Sequence, residues 1–204
     1  KLNIVVHTLL SLLDCIKHSM TTKFTKLKQV IVSCWPVALL ALVTLLTFFT
    51  TIVLNRKTFF AFPDNIDQFY AWYQKLSKSV HTSHLPLWDP NVSAGHSFVG
   101  EFQTGVFYPV NLIWVWLFGS AQGITIFWLE LLVTLHFWAA SVGMYMLSRS
   151  FGLKKYSSLI SGMAYGLTGA VALRSVAQTA IFFGLCLLPW VVLWFDRWQK
   201  TQKK

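Results

Sequence analysis

The residues best suited to acid–base chemistry in this chain are two carboxylates, Asp64 and Asp67. A spacing of three places both side chains on one face of a helix. A partly shielded carboxylate can have a raised pKa and act as a general base, and two together can hold a divalent cation. The alternative is structural, because Asp64 suits a helix N-cap and Asp67 suits the positive end of the helix dipole.

The same polar stretch holds other candidates. His81, His84 and His96 lack the spacing of a zinc site and no cysteine accompanies them, so surface roles are expected. Glu101 is a candidate second acid or a solvated side chain. Asp89, between a tryptophan and a proline, is typical of a turn.

Three further polar residues lie within or beside apolar runs. Glu130 indicates a functional site or a pairing with a neighbouring helix, because a carboxyl group inside a membrane span is costly. His136, on the same run, is predicted to form an interhelix hydrogen bond. Arg174 suits an anionic phosphate and an interfacial anchor equally well.

The composition is that of a membrane protein. Of 204 residues, 55% are hydrophobic and only 12% are charged, with a mean hydropathy of +0.55. The net charge of +10 does not indicate nucleic acid, because the basic residues cluster beside apolar runs, as the positive-inside rule expects. No phosphate loop, nucleophile elbow, dinucleotide fingerprint or metal-ligand pair occurs.

The apolar runs predict an all-α, polytopic transmembrane protein. Spans are expected at residues 30–54, 124–147, 159–173 and 179–195. Lysines before the first span place its start in the cytoplasm and a long loop, 55–123, outside. Four spans then return the chain to the cytoplasm, so both ends are predicted to lie there. The predicted organisation is a cytoplasmic or interfacial segment at 1–29, a membrane domain at 30–198 and a basic cytoplasmic tail at 199–204.

Surface helices are predicted within the external loop. One apolar helical face is formed by residues three and four apart, namely Ile66, Phe69, Tyr73, Leu76 and Val80, and suits a helix lying on the membrane surface. The apolar stretch 106–119 is too short to span and is predicted to be interfacial or re-entrant. In the third span, Gly162 and Gly166 predict close helix packing.

The loop also carries several short sequence motifs. These are Asp64-xxx-Gln68-Phe69-Tyr70-x-Trp72, Leu85-Pro86-Leu87-Trp88-Asp89-Pro90, Gly95-His96-Ser97-Phe98, Gln103 and Phe107-Tyr108-Pro109. With them the chain resembles the YfhO-like family of bacterial membrane proteins, within the GT-C superfamily of integral membrane glycosyltransferases. The resemblance covers roughly residues 30–198.

The resemblance implies an enzyme of the bacterial cytoplasmic membrane. It would take a sugar from a polyprenyl-phosphate carrier and transfer it, on the extracytoplasmic side, to an envelope glycan or lipid acceptor. It implies Asp64 as the catalytic base, with Asp67 as the runner-up, and no nucleic-acid partner. It also implies that six residues bind the substrates, namely Gln68, Tyr70, Trp72, Trp88, Glu101 and Arg174. No metal ligand is assigned, and a divalent cation stays open as a cofactor.

Two departures qualify the resemblance. Ala71 stands where relatives often have proline, and four spans are too few for a complete GT-C enzyme, so an N-terminal fragment that is inactive alone is expected. The alternatives are a non-catalytic envelope-assembly protein, which would tolerate neutralising Asp64, and a lipid-linked-glycan transporter. A transporter would place polar groups near the midplane of several spans.

Overall fold

Helices dominate the computed structural model, which describes residues 34–54, 59–61, 64–92 and 94–202. The α-helices are α1 (Cys34–Thr47), α2 (Phe49–Ile52), α3 (Tyr70–His81), α4 (Pro109–Phe118), α5 (Ile126–Ser150), α6 (Lys155–Gly166), α7 (Gly169–Ala177) and α8 (Thr179–Gln202). A π-helical segment, Asp64–Phe69, leads into α3, and a 3₁₀ turn covers Phe102–Thr104. Strands β1 (Trp88–Asp89) and β2 (His96–Ser97) pair antiparallel.

The chain divides after Leu39 into two units. Of the first unit, residues 34–39 are described, and they form the beginning of α1. The predicted N-terminal segment, 1–29, lies outside the described residues. The second unit, from Leu40 onward, contains the rest of α1, the other helices and the loop between α2 and α5.

Three helical stretches are long and apolar enough to cross a membrane, namely Ile126–Ser150, Lys155–Ala177 and Thr179–Gln202. They correspond to the predicted spans 124–147, 159–173 and 179–195, and they indicate a membrane-embedded protein. The middle stretch is broken into α6 and α7 at residues 167–168. Of the first predicted span, the described part is the shorter apolar helix α1, followed by a turn at Phe48 and by α2.

Helix α5 lies at the centre of the second unit, with α6 and α8 packed against it. Aromatic side chains pack around α5: the ring of Phe137 lies 4.8 Å from that of Phe182 in α8 and 4.7 Å from that of Phe48 in the turn before α2, measured between centroids. Against α6, the packing depends on glycine, as the small-residue pattern predicts. A Cβ at Gly162 would lie 2.6 Å from the backbone oxygen of Ser141.

Gly162→Ala is therefore expected to destabilise the protein by about 1–3 kcal/mol, because the added methyl forces α6 away from α5. The matched control is Gly184→Ala in α8, where a Cβ would meet nothing within 4 Å. That change should be neutral or stabilising, since alanine favours helix. Thermal inactivation of both variants in nanodiscs checks the difference, and equal midpoints would contradict the close-packing interpretation.

The apolar face from Ile66 to Val80 packs against the core of the protein, whereas sequence analysis assigned it to the membrane surface. Phe69, Tyr73 and Leu76 are buried, and Ile66 and Val80 pack partly buried against the same core. Polar side chains then join α3 to the segments that follow it. The Tyr73 hydroxyl donates to Asn111 Oδ1 in α4 over 3.2 Å, and Ser77 Oγ donates to the backbone oxygen of Ser120 over 3.0 Å.

Candidate functional site

A cleft of about 400 Å³ opens between the start of α3 and the β1–β2 hairpin. It is lined by Asp67, Gln68, Ala71, Trp72, Asp89, Val92, His96 and Glu101. The π-helical segment supplies Asp67 and Gln68, the start of α3 supplies Ala71 and Trp72, and the hairpin with its flanks supplies the rest. Three carboxylates, an amide, an imidazole and an indole therefore share one concave surface.

The cleft brings together half of the residues proposed from the sequence. Asp67, Gln68, Trp72 and Glu101 line it. Asp64 is exposed at the start of the π-helical segment, and it is not among the lining residues. The same is true of Tyr70, Trp88 and Arg174. Asp89 and His96, which sequence analysis assigned to a turn and to the surface, are additional members of the cleft.

Asp89 holds the hairpin against α3. Its carboxylate lies 3.0 Å from Lys75 Nζ and accepts a hydrogen bond from the backbone N–H of Asn91 over 3.0 Å. Lys75 Nζ also donates to the backbone oxygen of Trp88 over 2.9 Å. Burial alone would raise the pKa of Asp89, but the bonds from Lys75 and Asn91 outweigh it and lower the pKa below its ordinary value.

This depressed pKa predicts acid-sensitive order in the hairpin. A carboxylate whose pKa is lower in the folded state stabilises the fold above its unfolded pKa, and that contribution is lost as the pH falls below about 4. We expect Trp88 emission to be constant from neutral pH to about 5 and to change below about 4. Subtracting the spectrum of a Trp88→Phe variant isolates this signal. Asp89→Asn should remove the acid transition, and an unchanged transition in that variant would contradict the assignment.

The turn of the hairpin depends on a glycine. Gly95 has a φ of +107°, and a Cβ there would lie 2.7 Å from the indole ring of Trp88. The close approach is thus possible only without a side chain at position 95. It positions the next residue, His96, whose backbone pairs with that of Asp89 across the hairpin.

Asn65 anchors the π-helical segment Asp64–Phe69. Its amide donates to the backbone oxygens of Phe59 and Ser175, each over 2.8 Å, and its Oδ1 accepts from the Thr179 hydroxyl over 2.9 Å. The bonds tie the residue after Asp64 to the junction of α7 and α8, next to Arg174. Sequence analysis missed Asn65, although its place four residues before Phe69, on the apolar face, is the pattern of a buried polar anchor.

Glu130 and His136 hold neighbouring segments against α5. The fully buried Glu130 carboxylate accepts the backbone N–H groups of Phe59 and Phe60 over 3.0–3.1 Å. This fixes the chain after α2 to α5, and the functional role or helix pairing expected for Glu130 stays a prediction. His136 Nδ1 bonds to the Leu132 oxygen over 2.8 Å, and Nε2 lies 2.9 Å from the Tyr108 hydroxyl. Tyr108 is the residue before α4, so the bond joins α5 to the segment leading into that helix, whereas a bond between two helices was predicted.

The side chains that line the cleft determine which molecules it can bind. Among the described residues, no group of three His, Cys, Asp or Glu side chains is placed to hold a metal ion. Carboxylates accept hydrogen bonds from hydroxyl groups, an amide both donates and accepts, and an indole offers an apolar face. The cleft is therefore suited to a polar, uncharged molecule with several hydroxyl groups, and Asp67 can take a proton from it.

Comparison with models of protein families, with curated proteins and with solved structures finds no match to this chain.

Proposed function

We propose that the protein is an integral membrane glycosyltransferase. It moves a sugar from a polyprenyl-phosphate carrier to an envelope glycan or lipid acceptor on the extracytoplasmic side of the bacterial cytoplasmic membrane. The observation that carries the proposal is the cleft in which Asp67, Gln68, Trp72 and Glu101 meet. Four of the residues that the family resemblance implies for catalysis and substrate binding thus share one surface, beside helices able to span a membrane.

In the proposed reaction Asp67 is the general base. It takes the proton from an acceptor hydroxyl as that oxygen attacks the anomeric carbon of the donor sugar. The new glycosidic bond forms while the bond between the anomeric carbon and the phosphate oxygen breaks. Polyprenyl phosphate leaves with the electron pair, and the proton remains on the carboxyl group.

The resemblance assigns the base to Asp64, and the geometry favours Asp67, because only Asp67 of the two lines the cleft. Asp64 precedes the anchor residue Asn65, which bonds next to Arg174. In this proposal, Arg174 lies outside the cleft and meets the carrier phosphate.

The contacts of Glu130 and His136 favour the glycosyltransferase over the alternative of a lipid-linked-glycan transporter. Glu130 and His136 are the polar residues that would have formed a path through the spans. Each side chain is instead hydrogen-bonded in a way that fixes neighbouring segments. Such groups stabilise an architecture and are unsuited to exchanging a substrate.

A transfer assay tests the proposal. Membranes containing the protein, expressed with its complete reading frame, are incubated with a panel of polyprenyl-phosphate monosaccharides, and glycans and lipids are compared by mass spectrometry. We expect release of polyprenyl phosphate and one envelope product heavier by one sugar. Membranes lacking the protein are the control. No release and no new product with any carrier sugar, at normal protein abundance, would contradict the proposal.

A further inference from the structure

The stretch between Glu101 and Glu130 contains no charged residue, although it includes the last part of the predicted external loop. Two phenylalanines near its start are left uncovered, because Phe102 is 80% exposed and Phe107 is 73% exposed. Large apolar side chains exposed together mark a surface that meets an apolar partner. The position of this surface relative to the membrane-spanning helices indicates what that partner is.

Helix α4 runs beside the first half of α5 in the opposite direction. Its last residue, Phe118, stacks on the ring of Trp128, the third residue of α5, with 4.3 Å between centroids. Just before the start of α4, the Tyr108 hydroxyl lies 2.9 Å from Nε2 of His136. Because His136 comes ten residues after the first residue of α5, this hydroxyl reaches about 15 Å along the span.

Helix α8 gives the same depth for the start of α4. Tyr108 and Val110 line one apolar pocket of about 360 Å³ together with Leu187 and Trp190. The last two come eight and eleven residues after Thr179, the first residue of α8, which is about 12–17 Å along that helix. The first turn of α4 is therefore level with inner parts of two helices that are able to cross a membrane.

The turn before α4 also satisfies its own backbone, as a segment at membrane depth must. Thr104 Oγ1 accepts the N–H of Val106 over 3.4 Å, and Asn111 Nδ2 donates to the oxygen of Gly105 over 3.3 Å. The backbone N–H groups with acceptors between residues 101 and 108 are those of Gln103, Thr104, Gly105, Val106 and Tyr108.

We propose that residues 102–118 form a re-entrant segment, which enters the bilayer from the side on which α5 begins, and that Phe102 and Phe107 contact lipid hydrocarbon. The chain descends through the turn and returns beside α5 as α4. Lipid contact at this depth favours the re-entrant over the interfacial prediction for residues 106–119. The proposal is independent of the proposed function. It has one consequence for it, because Glu101 lines the cleft and directly precedes Phe102, so the cleft opens close to the membrane.

Single spin-labelled cysteines test this depth in the full chain in nanodiscs. Power-saturation EPR compares collisions of the label with oxygen, which partitions into lipid, and with a water-soluble nickel chelate. The labels are placed at Phe102→Cys, Phe107→Cys and Trp116→Cys, whose native side chains are exposed, so the substitutions leave the core intact. Buried Cys186 is kept, and the background without an added cysteine verifies that it takes no label. The other two cysteines are replaced by serine, namely Cys15 and Cys34.

We expect the labels at positions 102 and 107 to collide with oxygen as often as a lipid control, Val191→Cys in α8, and to lose the nickel collisions of a water control, His84→Cys. Both control positions are exposed. The label at Phe107→Cys should also lie about 10 Å deeper than the label at Trp116→Cys, because the seven residues from Pro109 to Trp116 rise about 10 Å along α4.

Three results would overturn the proposal. Equal depth at positions 107 and 116 would mean that α4 lies flat at the membrane surface. Nickel collisions at positions 102 and 107 as frequent as at position 84 would mean that the turn lies in water. Protection from both reagents would mean that protein covers the two phenylalanines in place of lipid. Each of these results leaves the outcome of the transfer assay unaffected.

Discussion

Glu130→Ala is expected to destabilise the protein strongly, and by more than Gly162→Ala does. The side chain is 2% exposed, and its two oxygens accept the backbone N–H groups of Phe59 and Phe60. Removing it leaves two buried donors without this acceptor and a cavity in the core. Each orphaned donor costs about 1–3 kcal/mol, so we expect a total of about 3–5 kcal/mol.

Glu130→Gln should have a smaller effect of the same sign. A carboxamide keeps one acceptor oxygen but turns an NH₂ group toward one of the two backbone donors. The measurement is the fraction of protein that stays monodisperse after heating in nanodiscs. For a chain of this size we expect the midpoint of Glu130→Ala to fall by roughly 6–20 °C.

Asp196→Asn is the matched control for this prediction. Asp196 lies in α8 and its carboxylate is 2.7 Å from Lys200 Nζ, four residues later in an exposed pair. Exposed pairs of this kind contribute little, so the midpoint should stay within about 2 °C of the parent. If Glu130→Ala behaves like Asp196→Asn, the carboxylate does not hold the segment after α2.

The spans and the buried face of α3 could be predicted because each depends on local pattern. Long apolar runs predict α5 and α8, and the period of three and four residues from Ile66 to Val80 predicts which side of α3 is buried. The small-residue pattern at Gly162 likewise predicts the contact with α5. Each of these features depends on residues that are close together in the sequence and lie on one helix.

The remaining features depend on contacts between distant residues. Glu130 accepts bonds from Phe59 and Phe60, about 70 residues earlier, and nothing in the local sequence identifies a backbone partner. The pairing of Asp89 with His96 depends on a tight turn that brings Gly95 under the ring of Trp88. Without that turn, a turn residue and a surface histidine are the natural interpretations.

The break between α6 and α7 is another feature that the sequence does not predict. The predicted span 159–173 treats this stretch as continuous, because the hydropathy is continuous. In the structure α6 ends at Gly166 and α7 begins at Gly169. Glycine at both edges of the break weakens the helix without changing the apolar character of the stretch, so composition alone does not reveal the interruption.

The second large effect concerns catalysis, and Asp67→Asn is expected to lower sugar transfer by at least about 100-fold. Asparagine has the shape of aspartate but cannot accept a proton at neutral pH, so a general base is lost while the cleft keeps its volume. Asp67 is exposed, which makes a folding defect unexpected. Equal membrane abundance of the variant and the parent checks this point.

The kinetic pattern separates a base from a binding residue. Loss of a base lowers kcat with little change in KM for the acceptor, whereas loss of a binding contact raises KM. The matched variant is Asp64→Asn, three residues earlier and outside the lining of the cleft. If Asp64→Asn loses transfer while Asp67→Asn remains active, the base is Asp64, as the family resemblance implies. The reaction then takes place on the surface beside Asn65 and Arg174 instead of in the cleft.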